Sequence, residues 1–202
     1  MSKIQYMLKP DWVSWDDVQE CQMKAHEMTN NAKGFHMTVQ DYSGEQLKNS
    51  FGKDGYCFVA LDDKRVVGVH GLIVFIGSKW WSKGKKVAYH CMDAILPEYQ
   101  GTDVYLELQA LRNKYDKQLG TEIIQFTTAE QNKVIRKIAQ KRGAKTVMYS
   151  ATCKGANYYS VVMVKWVDGC PYSDRYINFM FKLSKYVIKT LWKPGYKFRF
   201  WF

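Results

Sequence analysis

The chain has 202 residues, 47% hydrophobic and 24% charged, a balance that supports a packed core and excludes intrinsic disorder. Lys and Arg outnumber Asp and Glu by 30 to 19, a formal net charge of +11, so the surface attracts polyanions: nucleic acid, anionic lipid or an acidic protein face. The five cysteines (Cys21, Cys57, Cys91, Cys153 and Cys170) are odd in number and lack C-x-x-C spacing. They read as buried thiols of a reducing compartment, not a disulfide framework.

In chain order, "KIQYML" (3–8) predicts a strand. The stretch 14–33 predicts a helix, with Ser14 as cap, Asp16 and Asp17 in the first turn, and Gly34 after its end. A short helix follows at 43–51, capped by Ser43. "GYCFVALDDKRVVGVHGLIVF" (55–75) holds two apolar runs around Asp62-Asp63, an antiparallel hairpin. "IGSKWWSKGKK" (76–86) is a polar, glycine-containing loop, and "VAYHCMDAIL" (87–96) is the next strand. Apolar residues at Val104, Leu108, Leu111 and Tyr115 give a helix from 104 to 119, ended by Gly120. Then come a strand at 122–128, a helix at 132–143 and a pair of strands at 145–152 and 158–166.

No signal-peptide h-region opens the chain, and "VVGVHGLIVFIG" is too short to span a bilayer. The expectation is a soluble, intracellular (cytoplasmic) protein without a transmembrane segment. His26, His36, His70 and His90 are scattered without zinc spacing, so no metal site is expected. The glycine-rich signatures of nucleoside triphosphatases and dinucleotide enzymes and the G-x-S-x-G of serine hydrolases are missing.

The element order, with "MDAILPEYQG" (92–101) and "AEQNKVIRKIAQKRGAK" (129–145), resembles the GNAT superfamily of acetyl-CoA-dependent N-acyltransferases over residues 3–167. The resemblance implies an α+β fold, a mixed and mostly antiparallel sheet flanked by helices. It implies a domain at 1–170 and a basic, aromatic C-terminal extension at 171–202. The cosubstrate implied is acetyl-CoA, with pantetheine against the backbone of Ile95 and Leu96. Its pyrophosphate would sit on the turn Gln100, Gly101, Thr102, Asp103, Val104 and Tyr105. Asn132 would reach the pantetheine arm, or simply cap a helix.

The implied reaction transfers acetyl to an amine of a small molecule or protein, with a base taking the amine proton. The candidates are Asp93 and His90, with Glu98 beyond the strand end. Strand alternation puts Tyr89, Cys91, Asp93 and Ile95 on one face and His90, Met92, Ala94 and Leu96 on the other. Asp93 has an alternative role as half of an ion pair, and His90 as a satisfied sheet histidine.

Several positions depart from the family pattern. Asp103 and Tyr105 stand where the turn usually has small residues, and Asp103 reads as an N-cap that fills the anion site itself. Ala139 stands where a tyrosine often serves as general acid, and Ala144 where an aromatic usually follows the glycine. These departures imply a second function: a GNAT-like domain that no longer transfers acetyl and works by binding. The stretch 104–145 also resembles proteins among the internal virion components of short-tailed bacteriophages, which would place the chain in a virion.

Two basic aromatic segments remain. "GSKWWSKGKK" (77–86) could stack on bases and reach phosphates, or pack on a partner protein. In 173–202 a helical stripe runs through Ile177, Met180, Phe181, Ser184, Val187, Ile188 and Leu191, with Lys182, Lys185 and Lys189 beside it; Pro194-Gly195 breaks it before "YKFRFWF". It offers docking on the protein's own sheet, contact with a protein partner or second copy, or membrane-surface binding.

Overall fold

The structure, a computed structural model, describes residues 3–33, 42–151 and 157–191; Gly34, His36, Cys153 and the segment 192–202 lie outside them. Its elements follow the expected order: β1 (Gln5–Leu8), α1 (Trp15–Lys33), α2 (Gly44–Phe51), β2 (Gly55–Asp62), β3 (Arg65–Ile76) and β4 (Lys86–Ile95), then α3 (Val104–Gln118), β5 (Ile123–Ala129), α4 (Lys133–Lys141), β6 (Lys145–Ala151), β7 (Tyr159–Trp166) and α5 (Asp174–Leu191). The caps read from sequence are largely present. Ser14 Oγ accepts from Asp17 N at 3.0 Å while Asp17 returns a carboxylate oxygen to Ser14 N. Ser43 and Gln46 form a reciprocal capping box on α2.

The chain forms two compact units, one from 1–74 and 90–120, the other from 75–89 and 121–202, so β3 and β4 each run through both. In the first unit the strand order is β1-β2-β3-β4, and β1-β2 and β2-β3 are antiparallel. The β2–β3 turn bends at Asp63, a non-glycine with φ 58°. α3 lies close on β3 at Gly68: a methyl group there would come within 3.0 Å of Leu108 and Val104 side chains. Glycine leaves room for that close approach, which a larger residue would have to share with the Ile95, Leu108 and Val104 side chains.

In the second unit, starting with the first residues of β4, the order is β4-β5-β7-β6, and β7 pairs antiparallel with both β5 and β6. α5 packs on β6 through a cluster in which Phe181 and Ile188 lie against Tyr149 and Val161. Ser184 Oγ accepts from Tyr149 N at 2.9 Å. Of the alternatives for the helical part of 173–202, docking on the protein's own sheet is therefore what the inner face of α5 does.

The loop 77–86 differs from the surface loop expected. Trp81 is 3% exposed, donates Nε1–H to Gln125 Oε1 and packs with Val87, Ile123 and Trp166. Trp80 meets Tyr172 and Tyr176 edge-on. Trp81 is therefore a core residue, which removes it as a stacking platform for bases. The apolar character of the pair outweighed the lysines around it in deciding where it went.

Candidate functional site

The site lies in the first unit, at the end of β4. A cavity of about 270 Å³ is lined by Ala25 and His26 of α1, by Asp93, Ala94 and Ile95 of β4, by Tyr99, Gln100 and Gly101 of the following turn, and by Tyr105 of α3. Its walls are mostly apolar or aromatic, with the Asp93 carboxylate and the His26 imidazole among its titratable groups, the composition expected of a ligand pocket.

Strict alternation does not survive along β4. A methyl group added at Gly71 would come within 2.7 Å of Cys91 Sγ and 3.0 Å of Met92 Cβ, so these consecutive residues face the same neighbour. His90 and Asp93 both reach α3: His90 Nε2 lies 3.0 Å from Asp116 Oδ2, and Asp93 takes a forked pair of hydrogen bonds from Arg112, one turn earlier on α3. The alternation read from sequence put these two residues on opposite faces; in the structure both find a partner on α3.

Arg112 is 2% exposed and also donates to the Gly71 carbonyl at 3.3 Å. Asp93 keeps 41% of its side-chain surface open, although protein groups ring its carboxyl. Burial pushes that carboxyl upward, but the Arg112 guanidinium, followed by His70, outweighs it and holds Asp93 below the usual carboxylate range. His70, fully buried on β3, has Nε2 3.6 Å from Asp93 Oδ1 and meets Tyr105 edge-on at 5.1 Å. Burial pushes His70 down to about 4, so it is neutral near pH 7. Burial also lowers His26, against the pull of Asp93, and lowers His90 against its bond to Asp116. His90 is not among the cavity-lining residues.

The turn after β4 is pinned to the β2–β3 hairpin. Tyr99 OH donates to Asp62 Oδ2, Glu98 pairs with Arg65 at 2.7 Å, and Leu96 N donates to Val67 O at 3.0 Å. Gln100 Nε2 caps the Ile95 carbonyl at 3.1 Å. Gly101 has φ +82°, the left-handed region that favours glycine.

Asp103 behaves differently from the self-filling cap expected. Its backbone is helical (φ −74°, ψ −5°), so it needs no glycine, and its carboxylate makes no capping hydrogen bond. Thr102 Oγ1 instead accepts from Val104 N at 3.4 Å. Among the described residues, no protein acceptor is recorded for the N–H groups of Gly101, Asp103 and Leu106. The backbone therefore fits a phosphate at the start of α3. The charges oppose it: the carboxylates of Asp103 and Glu107 both act on Tyr6 and, after burial, help to raise its pKa.

In the second unit, Asn132 caps α4 by accepting from Ile135 N at 3.3 Å. Ala139 and Ala144 are core residues beside Tyr149. Tyr149 is fully buried and donates to Glu130 at 2.6 Å; burial and then that bond push its pKa far up. Cys21, Cys57 and Cys91 are free thiols that burial pushes up to about 12, so they are unreactive.

His26, His70 and Arg112 were not singled out from sequence. The histidines lacked metal spacing, and Arg112 sits on a helix whose charges look ordinary.

No protein-family model and no curated protein matches the sequence. Solved structures do. The PaiA N-acetyltransferase of Thermoplasma acidophilum, in complex with coenzyme A, aligns with TM-score 0.59 and 18% identity over 81% of this chain and 99% of its own. The ribosomal-protein-S18-alanine N-acetyltransferase of Escherichia coli gives 0.61 and 11% over 85% and 98%. NAA60 of Arabidopsis thaliana, bound to a bisubstrate analogue, gives 0.58 and 12% over 82% and 99%. The chain has the GNAT N-acetyltransferase fold.

Proposed function

We propose that the protein is an N-acetyltransferase that uses acetyl-CoA and takes its acceptor amine into the cavity beside Asp93. The observation that carries this reading is the Asp93 carboxylate, fixed by Arg112 and opening into that cavity where β4, the Gly101 turn and α1 meet. The similar structures that hold CoA or a bisubstrate analogue support the choice of cosubstrate.

When bound, acetyl-CoA supplies the acetyl group as a thioester. The Gly101–Leu106 turn would hold its pyrophosphate, the end of β4 at Ile95 and Leu96 would run beside the pantetheine, and Gln100 would release the Ile95 carbonyl. Asp93, held ionised by Arg112, attracts an ammonium group into the cavity and orients it. Because its pKa is depressed, Asp93 is a weak base. His26 lines the same cavity and is neutral near pH 7, so it takes the amine proton. His90 with Asp116 anchors the adjoining turn of α3.

Titration calorimetry with acetyl-CoA tests the reading. Micromolar binding, with thiol release in the presence of a panel of polyamines and N-terminal or lysyl peptides, supports it. A protein that binds no acetyl-CoA at millimolar concentration is not a transferase, and the fold then serves binding alone.

A further inference from the structure

We propose that the outer face of α5 is a seat for an anionic lipid bilayer surface. While Ile177, Phe181, Ser184 and Ile188 face the second unit and Tyr176 packs on Trp80 and Tyr172, Phe179, Leu183 and Tyr186 repeat at intervals of four and three along the opposite side. Phe179 is 60% exposed and Tyr186 71%, on one face of the helix with Leu183, and contiguous exposed apolar surface marks an interaction site. The helix thus carries two apolar stripes, and its own sheet covers one.

Charge selects the occupant. The helix carries Arg175, Lys182, Lys185 and Lys189 against a single acid, Asp174, and three more basic residues follow in sequence, Lys193, Lys197 and Arg199; no Asp or Glu occurs after Asp174. Lys185 and Lys189 lean back to Glu130, at 2.6 and 3.8 Å. Helical spacing sets Arg175 and Lys182 beside the outer stripe. A second copy would bring an equally basic helix against this one, a like-charge contact. An anionic surface with an apolar interior satisfies both features.

The aromatic character points to lipid over protein. The stripe mixes Tyr and Phe, and the sequence beyond it adds Trp192, Tyr196, Phe198, Phe200, Trp201 and Phe202 among its lysines and arginine. Aromatics interleaved with Lys and Arg are the composition of the bilayer interface. No helix among the described residues is long and apolar enough to cross a membrane, so α5 would lie in the plane of the surface.

Vesicle sedimentation of the full-length protein tests this, comparing phosphatidylcholine alone with phosphatidylcholine containing phosphatidylserine. The expected result is binding to the anionic vesicles only, weakened by salt. Arg175→Gln with Lys182→Gln should weaken it about fivefold per charge. Phe179→Ser with Tyr186→Ser should weaken it about tenfold or more while leaving the thermal midpoint unchanged, since both side chains are exposed. Three results would overturn the proposal. One is no binding to anionic vesicles. Another is binding indifferent to the Phe179 and Tyr186 changes. The third is no vesicle binding together with either a dimer that those changes dissolve in light scattering or capture of an acidic amphipathic helical peptide, which would assign the face to a second copy or a protein partner.

Discussion

Replacing Arg112 by Met isolates the ion pair at the base of the site. Methionine keeps much of the buried aliphatic stem and removes the guanidinium, so the Asp93 carboxylate loses both forked hydrogen bonds and the Gly71 carbonyl loses its donor. Removing one partner of a fully buried pair costs about 3–5 kcal/mol. Asp93 is 41% exposed, so water can replace part of the lost interaction, and we expect about 2–3 kcal/mol at neutral pH. For a chain of this size that corresponds to a midpoint lower by about 4–12 °C in thermal unfolding followed by circular dichroism. The pH dependence is the sharper part. In the native protein Asp93 is depressed, so its contribution is present above the unfolded carboxylate pKa and is lost as pH falls through the lower folded value. In the variant, burial is unopposed by Arg112 and the carboxyl rises, so acidification relieves the variant before it harms the native protein. The gap between the two should therefore narrow on going from pH 7 toward about pH 4. Equal midpoints at neutral pH, or a gap that does not change with pH, would refute the account of Arg112 as the group that keeps Asp93 charged.

Further predictions concern the turn and the C-terminal helix. Gly101→Ala should weaken acetyl-CoA binding about five- to tenfold in calorimetry, because φ +82° strains any residue with a Cβ although the space around it is open. Asp103→Asn should strengthen binding about two- to fivefold at low salt, an effect that fades as ionic strength rises; an unchanged affinity would mean the carboxylate does not meet the phosphates. Ser184→Ala leaves the Tyr149 N–H without its acceptor and should cost about 1 kcal/mol, seen as faster hydrogen exchange along α5 and β6. Acetyl transfer should be lost in Asp93→Asn while acetyl-CoA binding stays; activity retained in full would remove Asp93 from the site.

What could be read from the sequence was whatever depends on period and punctuation. Helical spacing, the caps Ser14, Ser43 and Asn132, and the break at Gly120 act locally, so the order of elements follows from them. His90 and Asp93 both reach α3, which period-2 alternation along β4 does not allow for. Arg112 pairs with Asp93 across nineteen residues of sequence, and nothing on α3 distinguishes it from neighbouring charges. Asp103 was read through its residue type, as a cap, but the backbone took an ordinary helical conformation and Thr102 supplied the bond. The outer stripe of α5 escaped notice because Ile177, Phe181 and Ile188 already accounted for an amphipathic helix.

The division of labour at the cavity has a kinetic consequence that separates His26 from Asp93. If Asp93 were the base, its depressed pKa would leave the rate insensitive to its titration across the range where enzymes are assayed. A limb due to His26 lies elsewhere. Burial lowers this histidine below its ordinary value, so it is neutral, and able to accept a proton, down to a pH below about 6.5. The kcat/KM for whichever amine of the panel is acetylated should therefore rise with pH through a group titrating in the acid range, apart from the limb set by the amine itself. His26→Ala should flatten that limb and lower the plateau by about a hundredfold, the usual contribution of general-base catalysis. His26→Gln keeps the polarity but not the basicity and should resemble His26→Ala. If either variant retains the acid limb, the proton goes to a different acceptor, and Asp93 with Arg112 would then be a binding pair for the cation without His26 as its partner in the chemistry.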